Sequence, residues 1–392
     1  MEHIQSKSGG SMKSRILSAV LILLFITACN GTFDVGIEHP SNSTATLVPA
    51  ATDTLTPSKT ALPTVTLSAA TATLAPSNTP APTATNTAAA NPTTANYLDD
   101  RSTPSQVIVS YYSAVNRQEY LRAYNYWINP STTLGSFASF ANGYKDTASV
   151  GLVFGQITGD AGAGQIYYTV PVILKTTAKN GTRANWAACY VVHQSQPANF
   201  GEPPFDPMGI DRGSAKPSDI NASDASMLAT ACSGYPMGGN QVAISGNNLN
   251  IDKNNYLDNR SGPIETVSSL LNALNLKQYV RAYYYFQAPT TFPGPYDPYA
   301  AGYSDTDVIT ATFGIAQSEG AAGSLYFKVP LAMKVLTASG ATRTFVGCYT
   351  LHLAQPSLQA TPPFQPLGII AGTFKQVDNG TDVNTLLPTA CN

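Results

Sequence analysis

The chain carries one segment twice. Residues 96–233 align with 255–392 without a gap, at a constant offset of 159 residues. The copies open NYLDDRSTP (96–104) and NYLDNRSGP (255–263), and continue QEYLRAYNYW (118–127) and KQYVRAYYYF (277–286). Further on, GYKDT (143–147) matches GYSDT (302–306), PPFDPMGI (203–210) matches PPFQPLGI (362–369), and both copies end Thr-Ala-Cys. Whatever fold one copy adopts, the other must reach from a diverged sequence. Two copies are too few, and each unit too long, for a solenoid. A unit of this length can bury its own core. The expectation is two similar domains, 96–233 and 255–392, joined by a Gly- and Asn-rich linker at 234–254.

Within a copy the hydrophobic period changes once. Thr103-Pro104-Ser105-Gln106 has the form of a helix start, with Thr103 as cap, Pro104 at the first helical position and Gln106 closing a capping box. Val107, Ile108, Tyr111 and Val115 follow at helical spacing, and Val267, Leu270, Leu271 and Leu274 do so in the second copy. A second short helix carries Tyr120, Leu121, Tyr124 and Trp127, after a polar break at 116–118 that predicts a helical hairpin. From about residue 148 the chain turns β-branched and aromatic: ASVGLVFGQIT, GQIYYTVPVILKTTA and RANWAACYVVHQ, with a fourth strand over 208–216 and a short final helix at 222–231. Gly159, Gly162 and Gly164 belong to a hairpin turn, because a strand follows them and not the helix that a phosphate loop requires. Helices first and an antiparallel sheet after them give an α+β domain.

Five cysteines are present. One, Cys29, belongs to the export signal described below. The others, Cys189, Cys232, Cys348 and Cys391, form two pairs with the same internal spacing of 43 residues. Four cysteines allow three connectivities. Duplication favours Cys189–Cys232 and Cys348–Cys391, each closing a loop within its own copy. Zinc sites use closely spaced ligand pairs; no such pair is present, and no metal is expected.

The order of elements resembles the NTF2-like family, in which N-terminal helices pack inside a bent sheet to make a cone. The resemblance rests on VIVSYYSAVNRQEYLRAYNYW (107–127), the Gly-Tyr at 143–144, Val170-Pro171-Val172 and Cys189-Tyr190, and it covers most of each copy. It implies two tandem cones, each with a possible pocket at its open end. The terminal cysteine pair departs from the family's usual final strand.

Upstream of the repeats, Met12-Lys13-Ser14-Arg15 is a short positive segment, and ILSAVLILLFITA at 16–28 carries no charge. Spanning a bilayer takes about 20 residues, so this stretch suits the core of a signal peptide. It ends Ile26-Thr27-Ala28-Cys29, which resembles the bacterial lipobox, in which the cysteine becomes lipidated. Residues 1–29 then form the signal, and either Met1 or Met12 can be the start. Residues 30–95 are dominated by Thr, Pro, Ala and Ser, a composition that cannot bury enough apolar surface to order itself. They are expected to form a disordered stalk, a candidate for O-glycosylation, that reaches on the order of 200 Å if fully extended. The protein is thus expected to be extracytoplasmic and lipid-anchored to the cell membrane.

Composition narrows the function. Charged residues make up only 11% of the chain and the net charge is −2. A nucleic-acid partner needs a basic footprint, and none is visible. Residues that could line a pocket are Tyr111, Tyr124, Arg122, Asp146 and His193, with Tyr283, Arg281, Asp305 and His352 in the second copy. Each has a structural alternative: packing for the tyrosines, an internal ion pair or a tyrosine stack for Arg122, a turn or helix cap for Asp146, and for His193 a place on the strand face of Cys189. No Gly-x-Ser-x-Gly element and no usable Ser/His/Asp set stands out. The expectation is a binding or interaction module at the cell surface, without a catalytic residue, cofactor or metal. Its partner would be a cell-wall component, a peptide or a small molecule. A ketosteroid-isomerase-like enzyme using Asp146 or His193 and a structural envelope protein are the alternatives.

Overall fold

The computed structural model describes residues 96–237, 239–242 and 250–392. The signal segment, Cys29 and the 30–95 stretch lie outside the described residues. Both copies belong to one compact unit.

Repeat 1 begins with α1 (Pro104–Asn116), α2 (Tyr120–Tyr124), α3 (Pro130–Thr133) and α4 (Phe137–Gly143). The strands β1 (Thr147–Phe154), β2 (Ile157–Gly162), β3 (Gln165–Ala178), β4 (Arg183–Ser195) and β5 (Gly209–Ser218) follow, then α5 (Asp224–Ala231) and a short β6 (Asn240–Val242). Repeat 2 supplies α6 (Pro263–Asn275), α7 (Tyr279–Tyr283) and α8 (Tyr296–Ala301), then β7 (Thr306–Phe313), β8 (Gln317–Ala321), β9 (Ser324–Thr337), β10 (Thr342–Ala354) and β11 (Gly368–Val377). The protein is therefore mixed α+β, with two antiparallel sheets.

Local chemistry accounts for these elements. The Thr103 hydroxyl accepts from the Gln106 amide at 3.2 Å, with Pro104 opening α1. The polar break ends α1 because Gln118 takes a left-handed φ of 59°, and the chain doubles back into α2. Ala163 and Gly164, both at positive φ, make the β2–β3 turn. The segment read as one strand at 148–158 is two: β1 pairs with one half of β3 and β2 with the other, and the chain breaks at 155–156. The small helices α3 and α4 carry no long apolar period, and the sequence did not announce them. The 234–254 segment is not wholly a connector, since β6 extends the edge of sheet 1 beside β2.

In each repeat the first helix packs on one face of the sheet. Ala188, Tyr190 and Val192 of β4 point into that core, while Ala187 and Cys189 point to the opposite face, where α5 lies with Met227 and Ala231. The middle of β4 is covered on both sides, which is why its residues are apolar without alternation. Repeat 2 has two short 3-10 turns in place of α5, and there Leu387 packs on Ala332 and Val346.

The disulfides are Cys189–Cys232 and Cys348–Cys391, as duplication suggested. Each ties the C-terminal segment of a repeat to its central strand across 43 residues. Removing Cys189 and Cys232 together as alanines is expected to cost about 2–4 kcal/mol of stability, mainly by freeing the unfolded chain. Urea unfolding of the double variant measures this; an unchanged midpoint would contradict it.

Candidate functional site

The residues expected to line a pocket do not converge. Tyr111 and Tyr112 are fully buried; their hydroxyls meet those of Tyr144, at 2.6 Å, and Tyr190. Their rings stand edge-on to one another and to Trp127 and Tyr190. Burial pushes both hydroxyls well above the ordinary tyrosine range. Tyr124 donates to the Gly135 carbonyl at 2.6 Å and Tyr283 to the Gly294 carbonyl at 2.7 Å. Leu270 and Leu271 replace Tyr111 and Tyr112 in repeat 2 and are equally buried. The interiors are filled by side chains, and the hydroxyls of Tyr111, Tyr112, Tyr124 and Tyr283 have partners, whereas the Trp127 indole N–H and the Tyr299 hydroxyl are buried without one.

Asp146 is exposed in the turn between α4 and β1, so it belongs to a turn and caps no helix. Asp305, its counterpart, meets Arg343 at 3.4 Å, both half in solvent. His193 lies on the outer face of β4, stacked on Tyr167 with ring centroids 4.6 Å apart and bonded to Gln165. Asp146 adjoins the Ala178 end of β3, and His193 pairs with Tyr167 near its other end. Roughly 35 Å of strand separates them, and the acid–base pairing of Asp146 with His193 is absent. His352 lies against Tyr326 on the outer face of sheet 2, with ring centroids 4.9 Å apart and the planes tilted by 37°.

Arg122 and Arg281 are the largest fully buried side chains of the described residues. Arg122 pairs with Glu119 at 2.6 Å, donates to the Leu98 carbonyl and lies over the Tyr97 ring. Arg281 donates to Gln278 at 2.6 Å, to the Leu257 carbonyl at 2.5 Å and to Asn272 at 2.9 Å, and lies over the Tyr256 ring. These arginines support the repeat openings and leave no free face for a carboxylate ligand.

Those openings are the polar centre of the molecule, and the sequence had marked them only as register. Asp99-Asp100-Arg101 runs antiparallel to Asp258-Asn259-Arg260. The Arg101 amide donates to the Asp258 carbonyl and the Arg260 amide to the Asp99 carbonyl, each at 2.6 Å. The Asp99 amide donates to Ser261 Oγ at 2.9 Å, and the Asp258 amide to Ser102 Oγ at 2.8 Å. Every bond has its image at the repeat offset, so the junction has pseudo-twofold symmetry.

Around it, Tyr126 donates to Asp99 at 2.6 Å and Tyr285 to Asp258 at 2.8 Å. Burial, with the neighbouring aspartate second, drives both phenol pKa values far up, so the phenols stay protonated donors. Arg101 donates to the Met208 and Asn125 carbonyls, and Arg260 to those of Leu367 and Tyr284. The space among Asp99, Arg101, Arg122, Asp258 and Arg260 is about 10 Å³, the lower limit for a single water. The junction is built to hold the repeats together and has no room for an organic ligand. A group of three or more metal-ligating side chains is also absent among the described residues.

Comparison with family models, with curated proteins and with solved structures finds no match to this chain.

The two halves of the junction differ at one telling position. Asp100 accepts from the Ser102 amide at 2.8 Å, and Asn259 accepts from the Ser261 amide at 2.9 Å in the same way. Burial raises the Asp100 pKa to about 6, partly offset by the Ser102 hydrogen bonds. An acid whose folded pKa exceeds its unfolded value of 3.8 costs stability when ionised in both states. That cost applies above about pH 6 and fades as the pH falls through the window down to 3.8. Asp100→Asn should therefore stabilise the protein at pH 7 by on the order of 2–3 kcal/mol, with the gain vanishing near pH 4. Thermal unfolding of wild type and variant across that range tests the sign.

Proposed function

We propose that this chain is a membrane-anchored extracytoplasmic lipoprotein whose two repeats are NTF2-like cones acting as a binding or interaction module at the cell surface. The observation that carries the reading is the filled interior of each repeat. Where a cone-shaped fold would hold substrate, tyrosine, tryptophan and leucine side chains pack together, with the hydroxyls of Tyr111, Tyr124 and Tyr283 hydrogen-bonded. Partners must then be met on the outside. A cell-wall component, a peptide or a small molecule is the class of ligand expected there, and duplication on one stalk would raise avidity.

The export sequence and the disulfides support the location. Both bridges fit an oxidising compartment outside the cytoplasm. Among the described residues no helix is long and apolar enough to cross a membrane. In this reading the anchor is lipid on Cys29, on the strength of the lipobox-like Ile26-Thr27-Ala28-Cys29. The ketosteroid-isomerase-like alternative is not favoured, because Asp146 is exposed and remote from His193.

Two measurements test the proposal. Cys29→Ser should release the protein from membranes or leave an unprocessed precursor; a normally processed variant retained equally on membranes would refute the anchor. A photo-cross-linking residue at Ile315, 88% exposed, or at Ile220, 52% exposed, should give discrete adducts with an envelope component on intact cells. Adducts at neither position would favour a structural spacer.

A further inference from the structure

The outer faces of the two sheets have diverged around an equivalent histidine. In repeat 1, His193 contacts Gln165, Ser195 also bonds to Gln165 at 3.0 Å, and Asp211 and Asp206 lie within electrostatic range. Repeat 2 places Ser324 where repeat 1 has Gln165, Gln287 for Ile128, Leu358 for Asn199, Ile370 for Asp211 and Gln365 for Asp206. The acids are gone from its histidine, and a hydroxyl and an amide have arrived.

The new residues form a chain of hydrogen bonds. His352 Nε2 lies 3.0 Å from Ser324 Oγ, and His352 Nδ1 lies 2.9 Å from Gln287 Oε1. Gln287 is itself held in one orientation: its Nε2 donates to the carbonyls of His352 at 2.8 Å and Pro366 at 3.2 Å. The amide oxygen must therefore face the imidazole, so the Nδ1 of a neutral ring carries its proton and Nε2 presents a lone pair to the serine hydroxyl. Partial burial lowers the His352 pKa, which favours the neutral ring.

The surroundings suit an acyl group. Tyr326 (38% exposed) lies tilted against the His352 ring, Leu358 (65%) packs over Gly323 beside the serine, and Ile370 (36%) stands in the β-bulge opposite Thr350 and Leu351. Among the described residues, three of the eight exposed large apolar side chains thus belong to β9, to β11 and to the turn after β10.

We propose that Ser324 is a nucleophile activated by His352, with Gln287 as its positioning residue, and that the site takes small carboxylic esters with an apolar acyl chain. In the reaction, Ser324 Oγ bonds to the ester carbonyl carbon while its proton moves to His352 Nε2. The carbon–alkoxide bond breaks, and the alcohol leaves with that proton. Water, deprotonated by His352, then attacks the acyl-serine, releasing the carboxylic acid and restoring the hydroxyl. The inference goes beyond the interaction reading and does not depend on it, because the site lies on the outer face and not in the packed interior.

The test is active-site labelling of the full chain with a fluorophosphonate, followed by peptide mapping. Attack by Ser324 on phosphorus expels fluoride and leaves a stable adduct on that serine. The expected result is an adduct on Ser324 and none on Ser195, the internal control beside His193. His352→Ala should slow labelling by about 100-fold. Gln287→Ala should shift the pH dependence of labelling, which a purely structural role would not produce. Circular dichroism of each variant establishes that it is folded. Absence of a Ser324 adduct in the wild-type protein, or equal labelling of Ser195, overturns the proposal.

Discussion

The antiparallel meeting of Asp99–Ser102 with Asp258–Ser261 organises everything around it. Four reciprocal backbone and serine hydrogen bonds fix the two segments in register. Arg101, Arg122, Arg260 and Arg281 lie under that ribbon, nearly or wholly out of solvent. Burying four guanidinium groups is expensive unless each is paired and hydrogen-bonded, and breaking one buried pair typically costs 3–5 kcal/mol. Here the cost is offset by backbone carbonyls, by aspartate and glutamate, and by tyrosine faces about 4.5 Å from the arginine centres. The arginines also hold the helices, because Arg122 and Arg281 sit on α2 and α7 and reach back to the repeat openings.

The repeats are interlocked in their apolar parts as well. Tyr97, from the opening of repeat 1, packs against the core of repeat 2, and Tyr256 packs against the core of repeat 1. Phe205, in the loop after β4, meets Tyr284 of the other repeat with ring centroids 5.6 Å apart. Each repeat has its own core, but neither is closed without groups supplied by its neighbour. Duplication has conserved this central contact and left the outer faces free to diverge. That is where His193 and His352, equivalent by position, acquired different company.

Much of this architecture was legible along the chain. The Thr103-Pro104 cap, the helical spacing of Val107, Ile108, Tyr111 and Val115, and the β-branched runs after residue 148 all report interactions between near neighbours. The reading faltered where spacing carries no such information. The split of 148–158 into β1 and β2 depends on both lying against one long β3. The edge strand β6 depends on a partner about 80 residues earlier in sequence. Arg122 was open to a ligand role until its carboxylate, carbonyl and aromatic partners were seen together.

The sequence by itself determined the duplication and the succession of helices and then strands, and it favoured one pairing of the cysteines, because equal spacing in two copies suggests that each bridge is local to its copy. Only the tertiary structure decided what the NYLDDRS and NYLDNRS openings do, since their partners lie 156 to 162 residues away and a backbone ribbon leaves no side-chain pattern to read. It also decided the Ser324–His352–Gln287 chain, whose members are 28 and 65 residues apart. They meet because β9 and β10 pair in register, which places Ser324 and His352 on one face of the sheet. The carbonyls of His352 and Pro366 then turn the Gln287 amide toward the imidazole. Hydrogen-bond direction of that kind arises from folded geometry, and no spacing rule along the chain encodes it.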